Sequence, residues 1–330
     1  MANVKLPRTM RALFQPDPLS TKLILATVPL PTPKADEHLI RVHTAAITNG
    51  ELLWPKNYAL NIPGKETTPL YDMAGTVVTA PNGSPFKPGD EVYARTDYKR
   101  TGSGREYTCV TAVELALRPK SLSWAETATV GMSAETAYQA LFVQAGLKRE
   151  ARTGAKGTRI YITAASGSVG SWVIQLAKWA GAEVVASCSA DSVVRVKSLG
   201  ADEVLDYRSV DVRAWASDSA KKVDLVIDCI GRQSLADAWH AAKSNGTIIS
   251  IYQPPEQQKP AELDGTGIKN FFFIQEALGE NLKFVTDLWE EAEFVASFDS
   301  VWPLEDFEKA VERLESGKTK GKIVLDMGVQ

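Results

Sequence analysis

Residues 159–170 read RIYITAASGSVG. The stretch opens with an apolar run, Arg159-Ile160-Tyr161-Ile162-Thr163, and passes through a turn of small residues. Beyond it Val169, Trp172, Val173, Leu176, Ala177 and Ala180 recur at helical spacing and mark one buried face. From Ala165 the turn reads A-x-G-x-x-G. A strand, a glycine turn and a helix in that order form a phosphate cradle. Gly167 permits close backbone approach and Gly170 permits tight helix–strand packing. The helix N-terminus adds N–H groups and a partial positive charge. Alanine at 165 is compatible with that role where its φ is negative. The stretch therefore predicts a dinucleotide site made of Ala165, Gly167, Ser168, Val169 and Gly170.

Strand and helix alternate on either side of this unit. Glu183-Val184-Val185-Ala186-Ser187 predicts a second strand, followed by a helix ending near Gly200. Val223-Asp224-Leu225-Val226-Ile227-Asp228 and Thr247-Ile248-Ile249-Ser250-Ile251 are further apolar runs. Repeated strand–helix units imply a parallel sheet covered by helices on both faces. Residues 1–125 differ in texture. They are rich in proline and turn signals, with short strand-like runs such as Leu39-Ile40-Arg41-Val42-His43 and Ala74-Gly75-Thr76-Val77-Val78. That half predicts a mostly β domain. Pro303 to Ser316 predicts a last amphipathic helix and Lys322-Ile323-Val324-Leu325 a last strand. Gln253 to Gly267 predicts a long loop.

The 330 residues suffice for two cores. With 44% hydrophobic and 23% charged residues and a net charge of −3, the chain has no field that would attract nucleic acid or an anionic membrane. Cys109, Cys188 and Cys229 are far apart, which argues against a disulfide framework and a zinc ribbon. With no apolar signal core after Met1 and no run of membrane-spanning length, the expectation is a soluble, cytoplasmic protein.

The end of the second strand bears on which dinucleotide binds. An acid there would hydrogen-bond a ribose 2′-hydroxyl. Here the strand ends Ala186-Ser187-Cys188-Ser189, with no acid until Asp191. A neutral, hydroxyl-rich end leaves room for a 2′-phosphate, so NADPH is the expected cofactor. Ser189, Arg195, Tyr207 and Arg208 are candidate donors, with ordinary solvated charges as the alternative reading of the two arginines.

IYITAASGSVGSWVIQLAKWAGAEVVASCSADSVVRVKSLGADEVLDYR resembles the cofactor region of medium-chain dehydrogenases/reductases, above all their zinc-free quinone oxidoreductase-like, enoyl reductase-like branch. Met10-Arg11-Ala12-Leu13, Gly89-Asp90-Glu91-Val92-Tyr93, Glu135-Thr136-Ala137-Tyr138-Gln139-Ala140-Leu141 and the C-terminal FDSVWPLEDFEKAVERLESGKTKGKIVLD match the family pattern in order. The resemblance implies an α/β chain: a GroES-like, mostly β catalytic domain with a doubly wound Rossmann domain inserted. The implied divisions are 1–125, 126–276 and a linking and returning segment, 277–330. It also implies a homodimer, with Phe271-Phe272-Phe273-Ile274 as a candidate edge strand.

Zinc-using relatives place metal ligands at positions that fall here on Asn49, Tyr71 and Met132. None is a good zinc ligand, so no metal is expected. Without a Lewis acid, reduction of a quinone or an activated double bond is favoured over alcohol oxidation. The resemblance places Asn49 as an orienting group. It puts Thr136 near the nicotinamide, Gly246 and the loop from Tyr252 over it, and Lys320 and Lys322 near the cofactor phosphates. Five residues after Asn49, relatives often carry tyrosine or lysine; this chain has Trp54, whose ring can stack on a flat, conjugated substrate. Tyr58 and Tyr71 are the substitute hydrogen-bond donors. The expected function is an NADPH-dependent quinone or enone reductase. The alternatives are a reductase of a polyketide-like pathway and a non-redox NADPH binder such as an isomerase or structural protein.

Overall fold

The computed structural model describes residues 6–57, 62, 65–291 and 294–329. The chain divides into two compact units, one of residues 1–132 and 276–330, the other of residues 133–275.

In chain order the strands are β1 (Thr9–Phe14), β2 (Ile24–Pro29), β3 (Glu37–Ile47), β4 (Asp72–Thr79), β5 (Glu91–Arg95), β6 (Tyr107–Thr111), β7 (Leu115–Leu117), β8 (Arg159–Ile162), β9 (Glu183–Cys188), β10 (Glu203–Asp206), β11 (Val223–Asp228), β12 (Ala242–Ser250), β13 (Lys269–Phe272), β14 (Phe298–Pro303) and β15 (Lys322–Asp326).

The first unit holds a sheet in the order β14-β15-β3-β4-β5-β7, with β6 also on β3, and a β1–β2 ribbon. The last residues of the chain complete this sheet. β15 runs antiparallel to β3, with Ile323 opposite Ile47 and Leu325 opposite Ala45. Alternating apolar residues explain the return: Ile323, Leu325, Leu304, Phe307 and Ala310 share one buried cluster with Leu13, Ile40, Val42 and Met73.

The second unit is a six-stranded sheet in the order β10-β9-β8-β11-β12-β13. Every pairing in it is parallel. Its central strands are apolar on both faces: Ile160, Ile162, Val184, Val185, Val226, Ile227, Ile248 and Ile249 are fully buried. Such strands need helices on both sides, and the sequence supplies them between strands. The order reverses between β8 and β11, which is where sheets of this kind bind ligands, outside the carboxyl ends of the strands. The expected long loop 253–267 contains two short 3-10 turns, Pro255–Gln258 and Ala261–Leu263. β13 is the edge strand; Phe271 and Phe272 are half-buried and Ile274 is exposed.

Candidate functional site

In the second unit the quoted stretch forms β8, a tight turn and the helix Ser168–Trp179. Trp172, Val173, Leu176 and Ala177 hold the helix to the sheet and are fully buried. Gly167 is its N-cap, with φ −72° and ψ 170°. The left-handed residue of the turn is Ala164, φ 47°, and Ala165 has no positive φ. This explains why alanine is tolerated at 165. Ala165 donates its N–H to the Ser187 carbonyl on β9 at 2.9 Å, which fixes the turn to the neighbouring strand. At Gly170 a Cβ would lie 2.7 Å from both the Ala164 oxygen and the Ala165 Cα, so only glycine packs there without movement. The amides of the first helical turn have no acceptor within the helix, because the four residues that would provide one precede it.

The other predicted cofactor residues gather around this turn in part. Cys188 pairs with Asp206, and the Tyr207 N–H donates to the Cys188 carbonyl at 3.2 Å, so Ser189 and Tyr207 extend neighbouring strands at their carboxyl ends. Arg195 Nη1 donates to the Ser166 carbonyl at 3.1 Å, which brings a guanidinium to the glycine turn. Arg208 lies over the Tyr207 ring at 5.6 Å. Thr136 is buried on the helix Gly131–Tyr138.

Two assignments need correction. Gly246 is the fifth of the nine residues of β12, beside the Asp224 carbonyl at the amino end of β11. It is four residues before Ser250, about 13 Å from the carboxyl end of the strand, and so at the wrong end of the sheet for the nicotinamide. Lys322, expected at the cofactor phosphates, is 3% exposed in the first unit, and its ammonium is committed to Asp72 and Thr48.

Asp228 at the end of β11 was not anticipated. It is fully buried and accepts from Thr163 Oγ1 and Ser250 Oγ, each at 2.7 Å, and from the Gly231 N–H. It ties together the carboxyl ends of β8, β11 and β12. An acid closing the apolar run Leu225-Val226-Ile227 was its signal in the sequence.

In the first unit, polar groups converge around Asp72, which is 0% exposed. Asp72 Oδ1 accepts from the Met132 N–H at 2.6 Å and Oδ2 pairs with the Lys322 ammonium. Lys322 also donates to Thr48 Oγ1 at 2.7 Å, and Thr48 Oγ1 lies 3.4 Å from Met132 Sδ. Thr48, not Asn49, faces this cluster; Asn49 is exposed, and among the described residues its side chain has no hydrogen-bond partner.

Glu51 is the second residue that the sequence reading missed. It is 3% exposed, and its carboxylate accepts from the Thr48 N–H at 3.1 Å and the Leu70 N–H at 3.0 Å. T-N-G-E carries the spacing of a helix capping box, which is the signal that would have found it. Gly50, at φ 82°, permits the turn. Burial pushes Glu51 up to about 7, against the downward pull of the Lys322 ammonium. The residue it holds, Leu70, has φ 65°, a strained conformation for leucine. Tyr71 follows directly.

Tyr71 is 7% exposed and stacks on Trp54, with ring centres 5.7 Å apart at 21°. Lys65 Nζ donates to its phenol oxygen at 2.8 Å. The phenol keeps its own proton to give, and burial pushes its pKa well above the ordinary value. Burial also lowers Lys65 to about 8. Tyr58 lies outside the described residues.

Residues 34–139 match the family described as alcohol dehydrogenase GroES-like domain, and residues 199–325 the family described as zinc-binding dehydrogenase. A "probable zinc-binding oxidoreductase, mitochondrial" from Arthroderma benhamiae is 46% identical, with 98% of this chain and 99% of that protein covered. A "chloroplast envelope quinone oxidoreductase homolog" from Arabidopsis thaliana is 34% identical, over 91% and 92% of the two chains. Among solved structures, the quinone oxidoreductase from Coxiella burnetii superposes with a TM-score of 0.82 at 24% identity, over 98% of this chain and all of that one.

Two of these names imply zinc. At the corresponding place this chain offers Thr48, Asp72 and Met132, and Asp72 is already neutralised by the Lys322 ammonium. Among the described residues no three His, Cys, Asp or Glu side chains converge as metal ligands. His38 and His43 are engaged elsewhere, by Ser84 and Thr76. The residues present do not fit a zinc ion. The expected cytoplasmic location is overturned by relatives whose names place them in mitochondria and at the chloroplast envelope. A GroES-like β unit, a parallel Rossmann sheet and these full-length relatives agree: the chain belongs to the medium-chain dehydrogenase/reductase superfamily, within its quinone oxidoreductase-like branch of NAD(P)-dependent oxidoreductases.

Proposed function

We propose that the protein is an NADPH-dependent reductase that delivers hydride, without a metal, to a quinone or to the β-carbon of an α,β-unsaturated carbonyl compound. The observation that carries this reading is the phosphate cradle with a guanidinium beside it. The turn 164–170 presents backbone, and Arg195 reaches the Ser166 carbonyl next to a strand end that carries Ser189 and no acid. A 2′-phosphate fits that charge balance and a ribose diol alone would not use it. Bound NADPH supplies the hydride, and one proton completes the two-electron reduction.

The chain's own residues bind and orient. The first-turn amides of Ser168, Val169 and Gly170 hold the pyrophosphate. Trp54 and Tyr71 offer stacked rings to a flat, conjugated acceptor. The Tyr71 hydroxyl donates to the carbonyl oxygen as negative charge develops there, and Lys65 reinforces that hydrogen bond. The exposed edge of β13, with Ile274, supports a homodimer formed by edge-to-edge pairing. The relatives support an organellar setting.

The test is consumption of NADPH and of NADH with a panel of quinones and enones, with products identified by mass spectrometry. The expected result is reduction with a higher kcat/KM for NADPH. Cofactor binding without reduction of any acceptor would sink the redox reading, and preference for NADH would sink the argument from Arg195 and Ser189.

A further inference from the structure

The first unit sets two cations around one tyrosine, one of them buried and one half-buried, and among the described residues the buried one lacks an anion. Arg95 closes β5 and is 2% exposed. Its Nε has no hydrogen-bond partner, and among the described residues no carboxylate comes within ion-pair distance of its guanidinium. What it touches is the ring of Tyr98, 5.6 Å from the guanidinium carbon. Five other arginines of this unit, Arg11, Arg100, Arg105, Arg118 and Arg313, each meet a glutamate or aspartate. Lys65 serves the same neighbourhood, donating to the Tyr98 carbonyl and to the Tyr71 phenol.

Leaving a guanidinium buried and unpaired costs several kcal/mol, so such an arrangement persists where the charge is used. The lysine feels the same environment. Burial lowers it most, and the nearby Arg95 charge lowers it further, against the opposing pull of Asp97 and Glu51. A ligand that brought negative charge here would relieve both cations at once. A planar carboxylate matches the guanidinium fork better than any neutral group.

We propose that Arg95 and Lys65 form a subsite for a carboxylate, and that the acceptor reduced by this enzyme is an unsaturated carbonyl compound bearing a carboxylic acid. The substrate class rests on the reductase reading above; the anion subsite does not. Reduction follows the same balance: hydride from the cofactor to one alkene carbon, a proton to the other, and the carboxylate unchanged.

The probes are acetylacrylic acid and its methyl ester, which differ in that one charge. The wild-type protein is expected to reduce the acid with a kcat/KM at least about tenfold above that of the ester, a difference of ~1.4 kcal/mol. Arg95→Met and Lys65→Met are each expected to collapse that ratio at least about tenfold. Ligand-free Arg95→Met should also melt higher than the wild type, because it removes an unpaired buried charge. A lower melting temperature with an unchanged ratio marks Arg95 as structural and overturns the proposal, as does a wild type that uses ester and acid equally. Lys65→Met alone decides the matter if the Arg95 variant does not fold. Calorimetric binding of levulinate, the saturated product, against its methyl ester separates the two readings. If no acceptor is reduced, the reductase reading fails, yet tenfold tighter wild-type binding of levulinate than of its ester, lost in the variants, still upholds the subsite. No binding of levulinate overturns it.

Discussion

Gly170→Ala and Gly167→Ala look alike in the sequence, yet the structure separates them. Alanine inside a helix gains roughly 0.5–1 kcal/mol over glycine. At Gly170 that gain meets a Cβ 2.7 Å from the Ala164 oxygen and 2.7 Å from the Ala165 Cα, both backbone atoms. Neither can rotate away, so the helix must lift from β8, at an overpacking cost of about 1–3 kcal/mol or slightly more. The net expectation is a loss of ~2 kcal/mol, or about 4–8 °C in melting temperature at the slope usual for a domain of this size. At Gly167 the backbone is extended, φ −72°, and the nearest atom to an added Cβ is the Ala164 oxygen at 3.1 Å. Alanine is the poorer N-cap by about 0.5–1 kcal/mol, so stability changes little. Its methyl instead occupies space that the cradle leaves for phosphate, and NADPH binding should weaken at least about tenfold, ~1.4 kcal/mol. Urea melts read the first effect and NADPH fluorescence titration the second. A Gly170→Ala protein as stable as the wild type would refute the packing argument, and unweakened NADPH binding by Gly167→Ala would refute the cradle.

Lys322→Met leaves the Asp72 carboxylate, 0% exposed, without its counter-charge and should cost about 3–5 kcal/mol, with Lys322→Met/Asp72→Asn recovering more than half of it; additive losses in the double-mutant cycle would show that the pair is not coupled. Glu51 gives the native state a pH slope. Its folded pKa, about 7, is raised from 4.5, so between those values the native chain holds a proton that the unfolded chain has lost. Its contribution is full below 4.5 and is lost as pH rises through 7, about 3 kcal/mol across that window. Urea midpoints measured across it should fall in the wild type and stay flatter in Glu51→Gln; equal slopes in both would contradict the assignment.

Much of this could be read in local pattern. Period-two runs in the first 125 residues and strand–helix alternation around 159–170 announced two kinds of sheet, because side-chain periodicity is a local property of backbone geometry. The glycine turn was legible for the same reason, since Gly167 and Gly170 act within one turn of chain. Thr48 was harder to separate from Asn49: they are neighbours, and only the path of β3 into the turn at Gly50 decides which side chain faces Asp72.

The sequence alone determined the order of elements and the glycine turn, both of which depend on residue type and short spacing. The tertiary structure alone decided where charges meet. Lys322 is 250 residues from Asp72 along the chain, yet β15 pairs with β3 and β3 with β4, and this brings the ammonium to the carboxylate. Gly246 was misplaced for the complementary reason, because which end of the sheet it occupies follows from register against β11 and not from its own surroundings. Arg95 is one arginine among many in the sequence. Burial without an acidic partner among the described residues, which is the property that marks it, comes from the sum of everything packed around it.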